Sequence, residues 1–154
     1  MSTTPEYRAE RHPRAVTPWF AVAIGGAVGS VLRYSLDLIW PSNFGLATLV
    51  INVIGSFMIG VLVTGVFTRK TLPHWLPAAL GPGLLGGFTT MSGFAQWMTS
   101  YILIGNMAII LAYLLGSVVL GLAAAWAGLA LGRLIHREGA VEPDIDSPDW
   151  PEDA

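Results

Sequence analysis

Two long stretches without a charged side chain constrain the fold of this chain more than any other feature. No Asp, Glu, Lys or Arg occurs from Leu72 to Gly132, and none lies between Trp40 and Phe67. Charged residues make up only 12% of the 154 residues, whereas an average soluble domain contains about 25%. A soluble protein of this length could not bury both uncharged stretches in one core. The sequence therefore predicts an integral membrane protein.

Four apolar segments predict four transmembrane helices joined by short turns. They run from about Trp19 to Ile39, Leu46 to Phe67, Trp75 to Ile104 and Met107 to Leu131. The third segment contains about thirty residues, whereas a straight crossing needs about twenty. Because it also contains Pro82, Gly86 and Gly87, we expect its helix to be broken at its centre. The predicted fold is therefore all-α, with four membrane spans.

The charged residues gather outside these segments and predict two tails. Residues 1–17 are polar and contain several arginines, and seven carboxylates follow Arg137 without a base among them. We therefore expect a disordered N-terminal tail at 1–17, a four-helix transmembrane domain at 18–132 and an acidic, disordered C-terminal tail at 133–154. The chain has no cysteine, which excludes disulfides and thiolate metal sites, and we expect no nucleic-acid partner.

Basic residues lie on one side only of the four predicted crossings. Those before the first span, between the second and third, and after the fourth are Arg8, Arg11, Arg14, Arg69, Lys70, Arg133 and Arg137. The two turns on the opposite face contain no base. By the positive-inside rule, both termini of this multi-pass protein are predicted to lie on the cytoplasmic side of the cell membrane.

Only two charged side chains, Arg33 and Asp37, lie within a predicted span. Their spacing of four residues puts them on one helix face, where they could partly neutralise each other. Arg33 could be an interfacial arginine that extends to lipid headgroups, or a charge that attracts anions at the mouth of a pathway. A proton-coupled antiporter needs a titratable carboxylate in its pathway. Asp37 lies beside an arginine near a helix end, so the sequence favours passive conduction.

Uncharged polar side chains are distributed over the second, third and fourth spans. They are Asn52, Ser56, Thr89, Thr90, Ser92, Gln96, Tyr113 and Ser117. Each could form an interhelical hydrogen bond, and small residues such as Gly25 and Gly29 would let helices pack closely. Together these side chains could instead line a narrow polar track without an acid, as an anion would require. The residues alone lead to a four-span protein with a passive anion pathway.

Four short motifs resemble those of a known family, the Fluc/CrcB fluoride channels. They are "GGAVGSVLRY" in span one, "LVINVIGSF" in span two, "GGFTTMSGF" in span three and "YLLGS" in span four. They occur in the same order and at similar spacing, and the resemblance covers about residues 20–132. It implies an antiparallel dimer of four-helix subunits with two narrow fluoride pores, and a protein that is not an enzyme. Through such a channel the membrane potential would drive toxic fluoride out of the cytoplasm.

The resemblance also assigns roles to individual residues. In the family the third helix unwinds at its centre, and backbone carbonyls hold one structural Na⁺ at the dimer axis. The matching positions are Gly86, where glycine would permit a sharp turn, and Thr89. The positions that match the fluoride pathway are Asn52, Phe94, Ser92, Tyr113, Ser117 and Arg33. Phe94 would face the anion with its ring edge, which carries partial positive charge.

One pathway position departs from the family pattern. The first of the two family phenylalanines is Met91 here, and methionine offers bulk but no ring quadrupole. The one-sided distribution of bases also disfavours insertion of the same chain in both orientations. Both features favour a heterodimer with an oppositely oriented paralogue, and the homodimer stays open as the alternative.

Two other functions are compatible with the apolar pattern. A small four-helix drug or cation exporter is also built as an antiparallel dimer, but it needs a membrane-embedded glutamate in span one, where this chain has Arg33. A structural membrane subunit would pack against partners and lipid without conducting ions. Fluoride efflux from liposomes separates these two functions from a fluoride channel.

Overall fold

The protein is described by a computed structural model that covers residues 16–39, 45–69 and 72–138. All regular secondary structure in these ranges is helical. The α-helices are α1 (Val16–Ile39), α2 (Leu46–Val61), α3 (Leu76–Ala78), α4 (Gly86–Phe88), α5 (Met91–Ile104) and α6 (Met107–Glu138). Two π-helical stretches, Leu62–Val66 and Ala79–Leu85, continue α2 and join α3 to α4.

Three continuous helices are long and apolar enough to span a membrane. They are Pro18–Ile39, Leu46–Val66 and Met107–Ile135. These ranges correspond to the first, second and fourth predicted spans, so the prediction of an all-helical membrane protein is confirmed. Large apolar side chains such as Ile39, Leu103 and Leu122 are exposed on the outside of the protein. Such a surface is suited to contact with lipid or with a protein partner, because exposure of apolar patches of this extent to water is unfavourable.

Two helix ends differ from the predicted tail boundaries. α6 continues to Glu138, so residues 133–138 are helical and do not belong to a disordered tail. The reason is local, because these residues include good helix formers and the next helix-breaking residue is Gly139. α1 begins at Val16 and has Pro18 in its first turn, where a missing N–H breaks no helical hydrogen bond. The remaining parts of both predicted tails lie outside the described residues.

The third apolar segment is built from shorter pieces. Residues 76–88 form one helical unit, which we call the first half-helix, and α5 forms the second. Between them, Thr89 (φ −76°, ψ 155°) and Thr90 (φ −143°, ψ 118°) have extended backbones. We call these two residues the interruption. Gly86 has ordinary helical angles (φ −64°, ψ −35°), so the sharp turn expected at this glycine does not occur.

Glycines bring the helices into backbone contact. α1 packs against the first half-helix, and a Cβ atom added to Gly29 would lie 2.9 Å from the backbone nitrogen of Phe88. α2 packs against α6, and a Cβ atom added to Gly60 would lie 2.8 Å from the backbone nitrogen of Leu129. Close approach through small residues is the usual way in which membrane helices gain packing energy.

Candidate functional site

The side chain of Asn52 on α2 satisfies the backbone of the interruption. Its Nδ2 donates to the carbonyl oxygen of Thr90 at 2.9 Å, and the Thr90 backbone N–H donates to its Oδ1 at 2.8 Å. The amide therefore pairs with both polar backbone groups of one residue, as a neighbouring peptide group would. This pairing offsets much of the free-energy cost of an extended backbone inside a helix bundle.

The two threonines of the interruption form local caps on the half-helices. Thr90 is the N-cap of α5, and its Oγ1 accepts a hydrogen bond from the Gly93 N–H at 3.0 Å. The Thr89 hydroxyl donates to the Leu85 carbonyl oxygen at 2.8 Å, and the Thr89 N–H donates to the same oxygen at 2.9 Å. Both ends of the interruption are therefore held by threonine side chains.

These hydrogen bonds divert the N–H groups that would pair with the Gly86 and Thr89 carbonyls in a continuous α-helix. The helical partner of the Gly86 carbonyl is the Thr90 N–H, which donates to Asn52 instead. The helical partner of the Thr89 carbonyl is the Gly93 N–H, which donates to Thr90 Oγ1. A Cβ atom added to Gly86 would meet no heavy atom within 4 Å, so space is open beside this residue.

A hard cation fits the chemistry of this position better than a transition metal does. The described residues contain no group of three or more His, Cys, Asp or Glu side chains that could hold a metal ion. Backbone carbonyl oxygens are ligands that hard cations prefer. The carbonyls of Gly86 and Thr89 could therefore contribute to a site for an alkali or alkaline-earth cation, and the open space beside Gly86 leaves room for further ligands.

Two cavities adjoin each other near the interruption, and only the first is lined by Thr89 and Thr90. The first, of about 390 Å³, is open to the outside and is lined by Asn52, Gly55, Ser56, Ile59, Leu85, Gly86, Thr89, Thr90 and Met91. The second, of about 300 Å³, lies between α2, α5 and α6 and is lined by Leu49, Asn52, Ser56, Met91, Phe94, Tyr113, Leu114, Ser117, Val118 and Gly121. Asn52, Ser56 and Met91 line both cavities.

The second cavity brings together five of the residues that the sequence analysis assigned to a pathway, namely Asn52, Met91, Phe94, Tyr113 and Ser117. None of the residues lining it is an Asp, Glu, Lys or Arg. The buried Oγ of Ser117 has no hydrogen-bond partner within the part of the chain that the structure describes. A buried hydroxyl without a partner is costly, so this group is available to a molecule or ion in the cavity.

An aromatic cluster fixes the orientation of Phe94. Its ring stacks on Tyr113 with centroids 5.5 Å apart and an interplanar angle of 15°. Tyr113 in turn packs edge-on against Tyr101 at 5.3 Å, and its hydroxyl donates to the Gly45 carbonyl oxygen at 3.3 Å. Tyr113 covers one ring face of Phe94, and Phe94 also lines the second cavity.

Two predicted site residues lie beside the interruption and line neither cavity. Arg33 donates from Nε to the Gly87 carbonyl oxygen at 3.2 Å, and the described residues contain no ion pair between Arg33 and Asp37. The Arg33 side chain turns towards the first half-helix, and partial neutralisation of the two charges across one helix face stays a prediction. The hydroxyl of Ser92 shares a hydrogen bond with Thr90 Oγ1 at 3.0 Å.

Sequence reasoning assigned no specific role to Thr90, Gly45 or Ser56, which contribute to the site. A threonine directly before an apolar helical run is an N-terminal cap signal, so the capping role of Thr90 was detectable in the sequence. The hydrogen bond from Tyr113 to Gly45 and the place of Ser56 in both cavities depend on contacts between distant residues. No local sequence signal reports such contacts.

Comparison with known proteins places this chain in a family. The sequence profile described as "CrcB-like protein, Camphor Resistance (CrcB)" matches residues 20–129. A protein of Stutzerimonas stutzeri named fluoride-specific ion channel FluC is 43% identical over 119 residues, which are 75% of this chain and 96% of that protein. Its namesake from Agrobacterium fabrum is 44% identical over 117 residues, covering 73% of this chain and 93% of that protein. The namesake from Chloroflexus aurantiacus is 43% identical over the same length.

These relatives are named as ion channels and not as enzymes, in agreement with the sequence analysis. The profile match covers well over half of the chain, and the relatives align along nearly their full length. The chain therefore belongs to the CrcB family, which is the Fluc/CrcB family that its four motifs resemble.

Proposed function

We propose that this chain is a subunit of a passive fluoride channel in the cell membrane. The observation that carries the proposal is the second cavity, which combines the unpaired hydroxyl of Ser117, the ring of Phe94 and the amide of Asn52 without a charged lining residue. The names of the relatives supply the identity of the ion. The cavity supplies the groups that such an ion would need.

The chemistry of the cavity suits a small anion that has lost its water. Removing a small anion from water is expensive, and hydroxyl and amide N–H donors replace part of its hydration. If the ring edge of Phe94 faces the ion, it adds a positive partial charge without a formal charge that would hold the ion too tightly. The absence of a carboxylate from the lining leaves no proton-coupling group, so transport is passive.

Export follows from the direction of the membrane potential. Hydrogen fluoride crosses membranes as a weak acid and ionises in the less acidic cytoplasm. A negative interior favours exit of an anion by about 2.3 kcal/mol per charge for each 100 mV. A selective passive pathway is therefore sufficient to lower cytoplasmic fluoride.

In this proposal residues 76–104 make the remaining membrane crossing as two half-helices. An extended backbone is tolerated at membrane depth when protein or an ion satisfies its polar groups. Asn52 and the two threonine caps satisfy most of the interruption from within the chain. With four crossings, both termini lie on the cytoplasmic side, where the basic residues are.

A structural Na⁺ fits the carbonyls of Gly86 and Thr89, whose helical N–H partners are diverted. Two carbonyls are fewer than a hard cation requires, so we infer that a second subunit supplies the same pair. When bound, Na⁺ would neutralise the partial charges of these oxygens and hold the two half-helix junctions together. The chain's own contribution is to keep both carbonyls out of helical hydrogen bonding.

The dimer partner in this proposal is an oppositely oriented paralogue. Met91 is 75% exposed and stands where the family has a phenylalanine, so a different subunit could supply the missing ring. The one-sided bases favour a single orientation of this chain. Reporters active on one side of the membrane, fused to each terminus, test this directly. Equal signals from both sides, together with fluoride efflux from the purified single chain, would establish the homodimer instead.

Liposome efflux followed with a fluoride electrode tests the function. Vesicles that contain this chain, alone or with its paralogue, should release fluoride when a potential is applied and should retain chloride. A Ser117→Ala protein of equal abundance serves as the matched variant, because it removes only the unpaired hydroxyl from the cavity. Release of a cationic drug with no release of fluoride would favour the exporter, and no release at all would favour a structural subunit.

A further inference from the structure

We propose that Asn52 is a positioning residue whose amide holds the helix interruption open and thereby frees the Gly86 and Thr89 carbonyls. The sequence assigned Asn52 to the pathway because of its position in the second span. The structure gives its polar atoms a different partner, the backbone of Thr90. The inference rests on the proposed cation site and identifies Asn52 as the side chain that keeps the carbonyls of this site available.

The first step is the competition for the Thr90 N–H. In a continuous helix this group would donate to the Gly86 carbonyl, four residues earlier. Asn52 Oδ1 accepts it at 2.8 Å instead. If the amide were absent, the donor and the Gly86 carbonyl would be close in sequence and both unsatisfied, so closing the helix would be the least costly way to pair them.

The second step is the opposite end of the same amide. Asn52 Nδ2 donates to the Thr90 carbonyl oxygen at 2.9 Å, which fixes the orientation of the peptide that follows the interruption. That peptide begins α5, which carries Met91 and Phe94 into the second cavity. A side chain at position 52 that can only accept hydrogen bonds cannot make both contacts, because the Thr90 backbone presents one N–H donor and one carbonyl acceptor.

The third step concerns what a substitution retains. Asp at position 52 keeps an acceptor for the Thr90 N–H, but as a carboxylate it cannot donate to the Thr90 carbonyl and repels it. When protonated, the same side chain offers one O–H donor and one carbonyl acceptor, which are the two groups that the Thr90 backbone needs. The carbonyl of Thr90 therefore favours the protonated form of this side chain over the carboxylate. Asn52→Asp should therefore be defective at neutral pH and recover under acid conditions.

A matched control is available in the same chain. Asn106 lies before α6, and its Oδ1 accepts from the Ile109 N–H at 3.3 Å. Asp caps a helix N-terminus as well as Asn does. Asn106→Asp therefore makes the same chemical change at a position where only the acceptor is used.

The test measures the thermal unfolding of the purified protein, with its dimer partner, as Na⁺ is titrated without fluoride at pH 7.5 and pH 5. For Asn52→Asp at pH 7.5 we expect the Na⁺ concentration for half-maximal stabilisation to rise about tenfold, as loss of a buried backbone partner implies. At pH 5 it should return to within about twofold of wild type. Asn106→Asp should match wild type at both pH values. An Asn52→Asp protein with a wild-type Na⁺ midpoint at pH 7.5 would overturn the inference.

A second readout keeps the two proposals separable. If wild type itself shows no response to Na⁺, the proposed cation site fails. The inference is then decided by stability alone. In Asn52→Asp the protonated side chain can make both contacts with Thr90 and the carboxylate can make only one, so the variant gains stability as pH falls and loses it as pH rises. The melting temperature of Asn52→Asp must therefore rise towards that of Asn106→Asp on acidification, and a constant difference between them would refute the role of the amide.

Discussion

Two adjacent glycines in the first half-helix should respond in opposite ways to the same substitution. A Cβ atom added to Gly87 would overlap the carbonyl oxygen of Gly26 and lie 3.0 Å from both its carbonyl carbon and its Cα. A Cβ atom added to Gly86 would meet nothing within 4 Å. Gly87→Ala and Gly86→Ala therefore add one methyl group each, one into backbone and the other into open space.

The sizes of the two effects follow from these contacts. For Gly87→Ala the obstacle is the backbone of α1, which cannot rotate aside as a side chain can. Overpacking of this kind costs about 1–3 kcal/mol, and a retreat of α1 would also lengthen the hydrogen bond from Arg33 to the Gly87 carbonyl. For Gly86→Ala, alanine has the higher helix propensity, by about 1 kcal/mol. The fold of the single chain should therefore be unchanged or slightly more stable.

Thermal unfolding in detergent, combined with cross-linking of the dimer, measures both effects. Gly87→Ala should lower the melting temperature by several degrees, since 1 kcal/mol corresponds to about 2–4 °C for a protein of this size. Gly86→Ala should retain or raise the melting temperature of the monomer and reduce the cross-linked dimer, because it fills the space reserved for the proposed cation and partner. If Gly87→Ala is as stable as wild type, the backbone contact between α1 and the first half-helix is not as close as described.

Three further substitutions in the second cavity separate conduction from folding. Phe94→Ile should cut fluoride flux from liposomes while the protein still assembles, because it removes the positive ring edge; wild-type flux would remove Phe94 from the pathway. Ser117→Ala should also lower fluoride flux. Its thermal stability should be unchanged or raised, because the hydroxyl has no partner among the described residues. A lower thermal stability would show that the hydroxyl does have a partner in the folded protein. Tyr113→Phe should show the reverse pattern, because the Tyr113 hydroxyl donates to the Gly45 carbonyl oxygen. We expect its unfolding free energy to fall by about 0.5–1.5 kcal/mol while most of the fluoride flux is retained. Complete loss of flux would instead indicate that the Tyr113 hydroxyl binds the anion.

The three continuous spans could be predicted because charge exclusion and length are properties of single segments. A helix that crosses lipid satisfies its own backbone, so its sequence needs only about twenty apolar residues. The ranges Pro18–Ile39 and Leu46–Val66 show this directly. The resemblance also assigned to one pathway five residues that the structure groups around one cavity.

The resemblance put Gly86 and Thr89 at the unwound centre of the third helix, but the cause of the interruption could not be predicted in the same way. Pro82 and Gly86 drew attention to the first half-helix, yet both lie in helical structure. The extended residues are Thr89 and Thr90, and their partner Asn52 is 38 residues away from Thr90 in the chain. Helix propensity depends on residues that are close in sequence. It therefore cannot predict an interruption that is stabilised by a side chain from another helix.

Arg33 illustrates the same limit and connects the parts of the site. The sequence offered an interfacial arginine or an anion-attracting charge, and the structure instead directs its Nε to the Gly87 carbonyl. α1 and α2 thus each provide one polar side chain to the backbone around the interruption, Arg33 and Asn52. The carbonyls of Gly86 and Thr89 are among those whose helical donors bond elsewhere. A free carbonyl at membrane depth costs several kcal/mol, so we expect a single chain to be incomplete at this point. The proposed dimerisation and the proposed cation binding would both satisfy these carbonyls, so a variant that closes the interruption should weaken both together.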